Sequence, residues 1–185
     1  MPSTYFSGNK VGSGGILSAT FNSKDQSARF HLIKQVGWND TTTKPAFAGG
    51  ATINVKLTAD ELGEFIHAVG SHDSCGFYHS FGEEVSTGTF RYYEVENKAN
   101  PNKKNRGFGL TVKKGDVEIK IGFSLGSAER LSQYLQFALD HMHSAIYAQD
   151  KKEQEEYFKK KEDEKKGNLK PKTVKEVKKE EPPEV

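Results

Sequence analysis

The chain has 185 residues, 34% of them hydrophobic, and a formal net charge of +2. That is enough apolar material for one core and too little for two independent ones, and the charge is too balanced to select a partner by itself. A single cysteine, Cys75, excludes an intrachain disulfide and fits a reducing, cytoplasmic setting, while the lack of an apolar leader or of any long apolar run argues against secretion and membrane spanning.

Residues 1–15, rich in Gly and Ser, are expected to form a flexible N-terminal arm, with order beginning near Ile16. ILSATFNS (16–23) and SARFHLIKQV (27–36) are rich in aromatic and β-branched residues and read as a hairpin. WNDTTTKPAFAGG (38–50) is turn-rich, with an irregular edge strand expected around Pro45–Ala48. ATINVKL (51–57) alternates, placing Ile53, Val55 and Leu57 on one side and Thr52, Asn54 and Lys56 on the other. In LTADEL (57–62), Thr58 and Glu61 have the spacing of a capping box, and Leu57 and Leu62 stand at the staple positions. The helix that follows carries Leu62, Phe65, Ile66 and Val69 on one stripe and is expected to stop at Gly70.

The second half follows the same plan. CGFYHSF (75–81), GTFRYYEVEN (88–97), RGFGLTVKK (106–114) and DVEIKIGF (116–123) read as strands, with a tight turn at KKGD. Ser127, 69 positions after Thr58, is expected to cap a helix that repeats Leu131, Tyr134, Leu135, Ala138, Met142 and Ala145 at helical spacing. The predicted fold is therefore α+β, a tandem repeat of two four-strand-plus-helix units (16–70 and 75–150) in one domain over 16–150, with antiparallel sheets packed against two helices. Residues 151–185 hold 12 Lys against 10 Asp and Glu and read as a charged helical extension, then, after Gly167, a disordered charged C-terminal tail tipped by EEPPEV. Ile146, Tyr147, Tyr157 and Phe158 are too apolar for a purely solvated segment, so a homo-oligomer is expected.

Holding a single nucleic-acid strand requires cations for phosphates and exposed aromatic faces for bases, each stack worth about 1–3 kcal/mol. Arg91 and Tyr93 fall opposite Phe90 and Tyr92; Lys113 and Lys120 alternate away from apolar sets; Lys103, Lys104 and Arg106 crowd what reads as a loop. Gly107 and Gly109 share the wet face of Lys113 and leave bare backbone there. In the first half Arg29, Lys34, Lys44 and Lys56, with Trp38 and Phe47, are the candidate equivalents, although Lys34 also fits the face of Phe30 and Leu32. Phe21, Phe30, Phe108 and Phe123 read as core. His67, His72, Asp73, Cys75 and His79 crowd thirteen residues without the paired-ligand spacing of a zinc site or an orienting group for a nucleophile. GSGG near the start precedes a strand, not a helix, so it lacks the context of a phosphate loop. No catalytic residue, metal or cofactor is expected.

The order of four strands then a helix, written twice, with the passage AGGATINVKLTADELGEFI (48–66), resembles the single-stranded DNA-binding superfamily of the Whirly proteins and the transcriptional coactivator positive cofactor four. Whirly-like chains carry both units in one polypeptide, the arrangement that residues 16–148 resemble. The plant members' Lys-Gly-Lys-Ala signature has TKPAFAGG (43–50) as its nearest counterpart, and the chain's start lacks a transit-peptide pattern, so a bacterial or bacteriophage member fits better. The resemblance implies a non-enzymatic, largely sequence-independent single-stranded DNA-binding protein of replication or recombination. It also implies self-association and a tail that meets replication or recombination proteins. RNA in place of DNA, as in guide-RNA-handling relatives of the superfamily, and a protein-interaction scaffold stay open as alternatives.

Overall fold

Strict alternation of apolar and polar residues builds two sheets, each with one dry face. The computed structural model describes residues 3–22, 27–97 and 100–167. It falls into two compact units, Met1–Ala145 and Ile146–Val185. The strands of the first half are β1 (Ser3–Ser7), β2 (Gly15–Asn22), β3 (Ser27–Lys34), β4 (Gly37–Asn39), β5 (Lys44–Ala46) and β6 (Thr52–Leu57). Four of them form an antiparallel sheet in the order β1-β2-β3-β6, while β4 and β5 pair only with each other. Leu17, Ala19, Phe30, Leu32, Ile53, Val55 and Leu57 are buried on the inner face. Thr20, Arg29 and Lys56 lie in one row on the outer face, and Ser18, His31 and Asn54 in the next.

Two expectations are corrected here. Ser3–Ser7, assigned to the flexible arm, is an edge strand that pairs Thr4 with Ser18 and Tyr5 with Leu17. Its anchor is Tyr5, buried beneath the Arg130 guanidinium and edge-on to Phe123. The short strand around Pro45 joins a separate ribbon, so the fourth strand of the first sheet comes from the N-terminus.

Helix α1 (Ala59–Ser71) starts where the capping box places it. The Glu61 N–H donates to Thr58 Oγ1 at 3.2 Å and the Thr58 N–H to Glu61 Oε2 at 2.8 Å. Thr58→Ala is expected to lower stability by about 1 kcal/mol, read as a lower midpoint in urea unfolding with an unchanged slope. The helix runs past Gly70. The Ser71 hydroxyl donates to the His67 carbonyl at 2.8 Å and completes a last turn, and His72 takes the left-handed cap with φ 56°. His72 tolerates that conformation while its ring stacks on Tyr92 at 4.7 Å.

The second sheet is antiparallel in the order β10-β9-β8-β7, from β7 (Ser74–Phe81), β8 (Glu84–Asn97), β9 (Asn100–Lys114) and β10 (Val117–Ser124). Residues 100–105, expected in a loop, extend β9: Asn105 pairs with Val95 and Lys104 with Glu96 beyond the apolar region. Helix α2 (Leu125–Gly167) begins earlier than expected because Ser124, not Ser127, supplies the capping oxygen, accepting the Ser127 N–H at 3.2 Å.

The core gathers between the inner faces. Phe65 of α1 meets Phe30 of the first sheet at 5.5 Å and Phe90 of the second at 5.2 Å. Gly15 lies so close to β10 that an added Cβ would come within 2.7 Å of the Ile119 side chain. Ala128, Leu131, Leu135, Ala138 and Met142 are buried along α2, while Phe21 is half-buried against Phe137 and His141. Among the described residues the architecture is α+β, with two antiparallel four-stranded sheets, a two-stranded ribbon and two helices.

In the second unit the described part is helix, with Ile146, Tyr147, Tyr157 and Phe158 exposed. The expected disordered tail and its EEPPEV tip lie outside the described residues. Among those described, no helix is long and apolar enough to cross a membrane.

Candidate nucleic-acid interface

The outer face of the second sheet is assembled by strand parity. Because residues directly opposite each other in an antiparallel ladder share a face, the register fixes its rows. The first runs Tyr78, Thr87, Lys113, Glu118; the second Gly76, Thr89, Thr111, Lys120; the third Ser74, Arg91, Gly109, Gly122; the fourth Tyr93, Gly107, Ser124. Successive rows stand about 7 Å apart along the strands. Arg91, Lys113 and Lys120 are exposed on this face, as are Tyr78 (66%) and Tyr93 (39%). Gly109 opens directly to space, whereas the Tyr93 ring lies over Gly107, its hydroxyl 2.7 Å from where a Cβ would stand. A cleft of about 670 Å³ beside Tyr93 is lined by Ser7, Val95, Asn105 and Ser124 among others.

One carboxylate stands among these cations. Glu118 Oε1 is paired with Lys120 Nζ at 2.8 Å and lies across the ladder from Lys113. The hydrogen bond and charge of Lys120, with Lys113 and Lys34 adding to them, hold the Glu118 carboxyl below its ordinary range.

The expected site residues divide. Arg91, Tyr93, Lys113 and Lys120 come together on one face, and Lys103 is exposed farther along β9. Lys104 and Arg106 take the opposite parity, although both also line the cleft beside Tyr93. Once residues 100–105 are strand, parity turns both to the side of Phe108, where they pair with Glu94, Arg106 Nε at 2.7 Å. The Lys104 hydrogen bond and the Arg106 charge hold the Glu94 carboxyl below its ordinary range. Arg29 and Lys56 face each other on the outer side of the first sheet, with Arg29 Nε donating to Ser27 Oγ at 3.3 Å. Lys34 follows the parity of Phe30 and Leu32 and is half-buried at the end of β3, from where its charge reaches Glu118. Lys44 is exposed on β5, but Trp38 and Phe47 are half-buried, and the Trp38 Nε1 is buried without a hydrogen-bond partner among the described residues. Neither offers the open ring face of Tyr78. Sequence reasoning passes over Tyr78, although the alternation that buries Phe77 was the signal for it.

The histidine and cysteine segment disperses. His79 Nε2 meets Glu61 Oε1 at 2.7 Å, His72 stacks on Tyr92, and no group of three or more possible metal ligands forms among the described residues. Burial, helped by Glu64 and Asp73, pushes the Cys75 thiol up to about 12, which leaves it protonated at neutral pH.

No family model and no curated protein matches the chain. Solved structures similar to it include the following two. The MRP1/MRP2 proteins of Trypanosoma bruciei align over 79% of this chain and 87% of theirs, at 15% identity and a TM-score of 0.49. A guide-RNA-binding protein complex bound to a guide RNA aligns over 76% of this chain and 90% of its own, at 17% identity and a TM-score of 0.51. At that identity the likeness is one of fold: the chain is similar in architecture to a protein of the guide-RNA-binding complex.

Proposed function

We propose that this chain is a non-enzymatic, single-stranded nucleic-acid-binding protein of the Whirly-like superfamily, its two halves a tandem of four-strand-plus-helix units. The observation that carries the reading is the outer face of the second sheet, where Arg91, Lys113 and Lys120 stand in successive rows with Tyr78 and Tyr93 at its ends. Cations on such a face take phosphates, tyrosines take bases, and bare glycine backbone lets the strand lie close, a combination that favours weak sequence preference. RNA is the first ligand to test, because the solved complex of similar fold holds a guide RNA. Single-stranded DNA in replication or recombination, as the Whirly resemblance implies, is the second reading. Self-association through the exposed apolar residues of α2 belongs to the same proposal.

The test compares RNA and DNA oligonucleotides of equal sequence, single-stranded and duplex, by fluorescence anisotropy across a salt series. Single strands are expected to bind best, RNA above DNA. With three to four phosphates neutralised, log affinity should fall against log salt with a slope of roughly −2 to −3. Absent or salt-insensitive binding overturns the proposal.

A further inference from the structure

Charge is sorted between the two sides of the second sheet, and one residue breaks the sorting. Off the outer face, cations have their own carboxylates: Lys104 and Arg106 pair with Glu94, and Lys114 with Glu84 at 2.8 Å. Among the described strand positions of the outer face, Glu118 is the single acidic residue. It lies opposite Lys113, in contact with Lys120 at 2.8 Å, and within the influence of Lys34 from the rim of the first sheet. A carboxylate and a phosphodiester offer an ammonium group the same thing, an anionic oxygen that accepts its N–H bonds.

We propose that Glu118 is a built-in competitor for phosphate, occupying the lysine cluster of the empty face and giving it up to the backbone of a bound single strand. This inference rests on the proposed function and adds a control to its site. The pair is solvent-exposed, Lys120 at 60% and Glu118 at 46%, and exposed pairs of this kind are weak and exchangeable. A strand that also engages Arg91 gains enough across several rows to displace the carboxylate. A lone phosphate or very short oligonucleotide has only the occupied cluster to meet. Glu118 thereby sets a minimum length for the ligand.

The test is Glu118→Gln in the full chain, a near-isosteric change at an exposed position. Anisotropy would be measured with RNA oligonucleotides of about four and about twenty nucleotides. The variant is expected to bind the short oligonucleotide roughly three- to tenfold more tightly, with a smaller gain for the long one. With the short oligonucleotide its salt slope should steepen by about 0.7, the contribution of one further lysine free to neutralise a phosphate, while the slope with the long one, which displaces Glu118 in either protein, should stay the same. Unchanged affinity and slope, in a protein whose binding is still lost on Lys113→Glu, would overturn the competitor and leave the binding face standing. Weaker binding by the variant would also overturn it, since Glu118 would then be orienting Lys120 for the ligand. No binding by either protein would remove the proposed function itself.

Discussion

Arg91→Glu combined with Lys113→Glu is expected to weaken single-strand binding by about a hundredfold or more at low salt, and to flatten its salt dependence. The two side chains sit on adjacent strands of one face, in different rows. Reversing both removes two phosphate contacts and adds two repulsions along the same path. Both side chains project from the outer face into water, so the urea unfolding midpoint should move little. The control is Lys104→Ala, which breaks an exposed pair with Glu94 on the other side of the ladder and should leave affinity within about twofold. Equal losses in the two variants would mean that sidedness plays no part in binding.

Phe65→Ala is the substitution with the largest expected effect on stability, about 3–5 kcal/mol. Phe65 is 1% exposed and reaches both sheets, edge-on to Phe30 and tilted against Phe90. Removing the ring opens a cavity where helix α1 joins the two inner faces. Urea unfolding monitored by far-ultraviolet circular dichroism should show a single transition at a much lower midpoint. Two separated transitions would mean that the sheets are stabilised independently.

How much of this was legible in the sequence depends on whether the deciding contact is local. Alternation at Ile53, Val55 and Leu57, the Thr58–Glu61 box and the Phe65 stripe are written within a few residues of each other, and all are present as read. STYFS was not legible as a strand because five residues carry little periodicity, and what recruits them is the open edge of β2, whose paired residues lie farther along the chain, from Gly15 to Ala19. NPNKKN reads as a turn by composition. Its extended state follows from pairing with the far end of β8, and with that pairing the sides taken by Lys104 and Arg106 are decided. The parity of Lys34 was visible, but Glu118, on which its charge acts, lies in another sheet, and nothing near Lys34 in sequence points there. Ser124 and Ser127 both suit a helix start, and only the geometry at the end of β10 selects the first.

The parity of β9 has one more consequence. Phe108, Leu110 and Val112 alternate with Gly107, Gly109, Thr111 and Lys113 along a single stretch of backbone. Sliding that strand by one position would send three greasy side chains into water while carrying Lys104 and Arg106 outward. The electrostatic polarity of the sheet is thus policed by its oily half, and a misaligned ladder would be rejected for its exposed hydrocarbon before any ligand could sample the wrong surface.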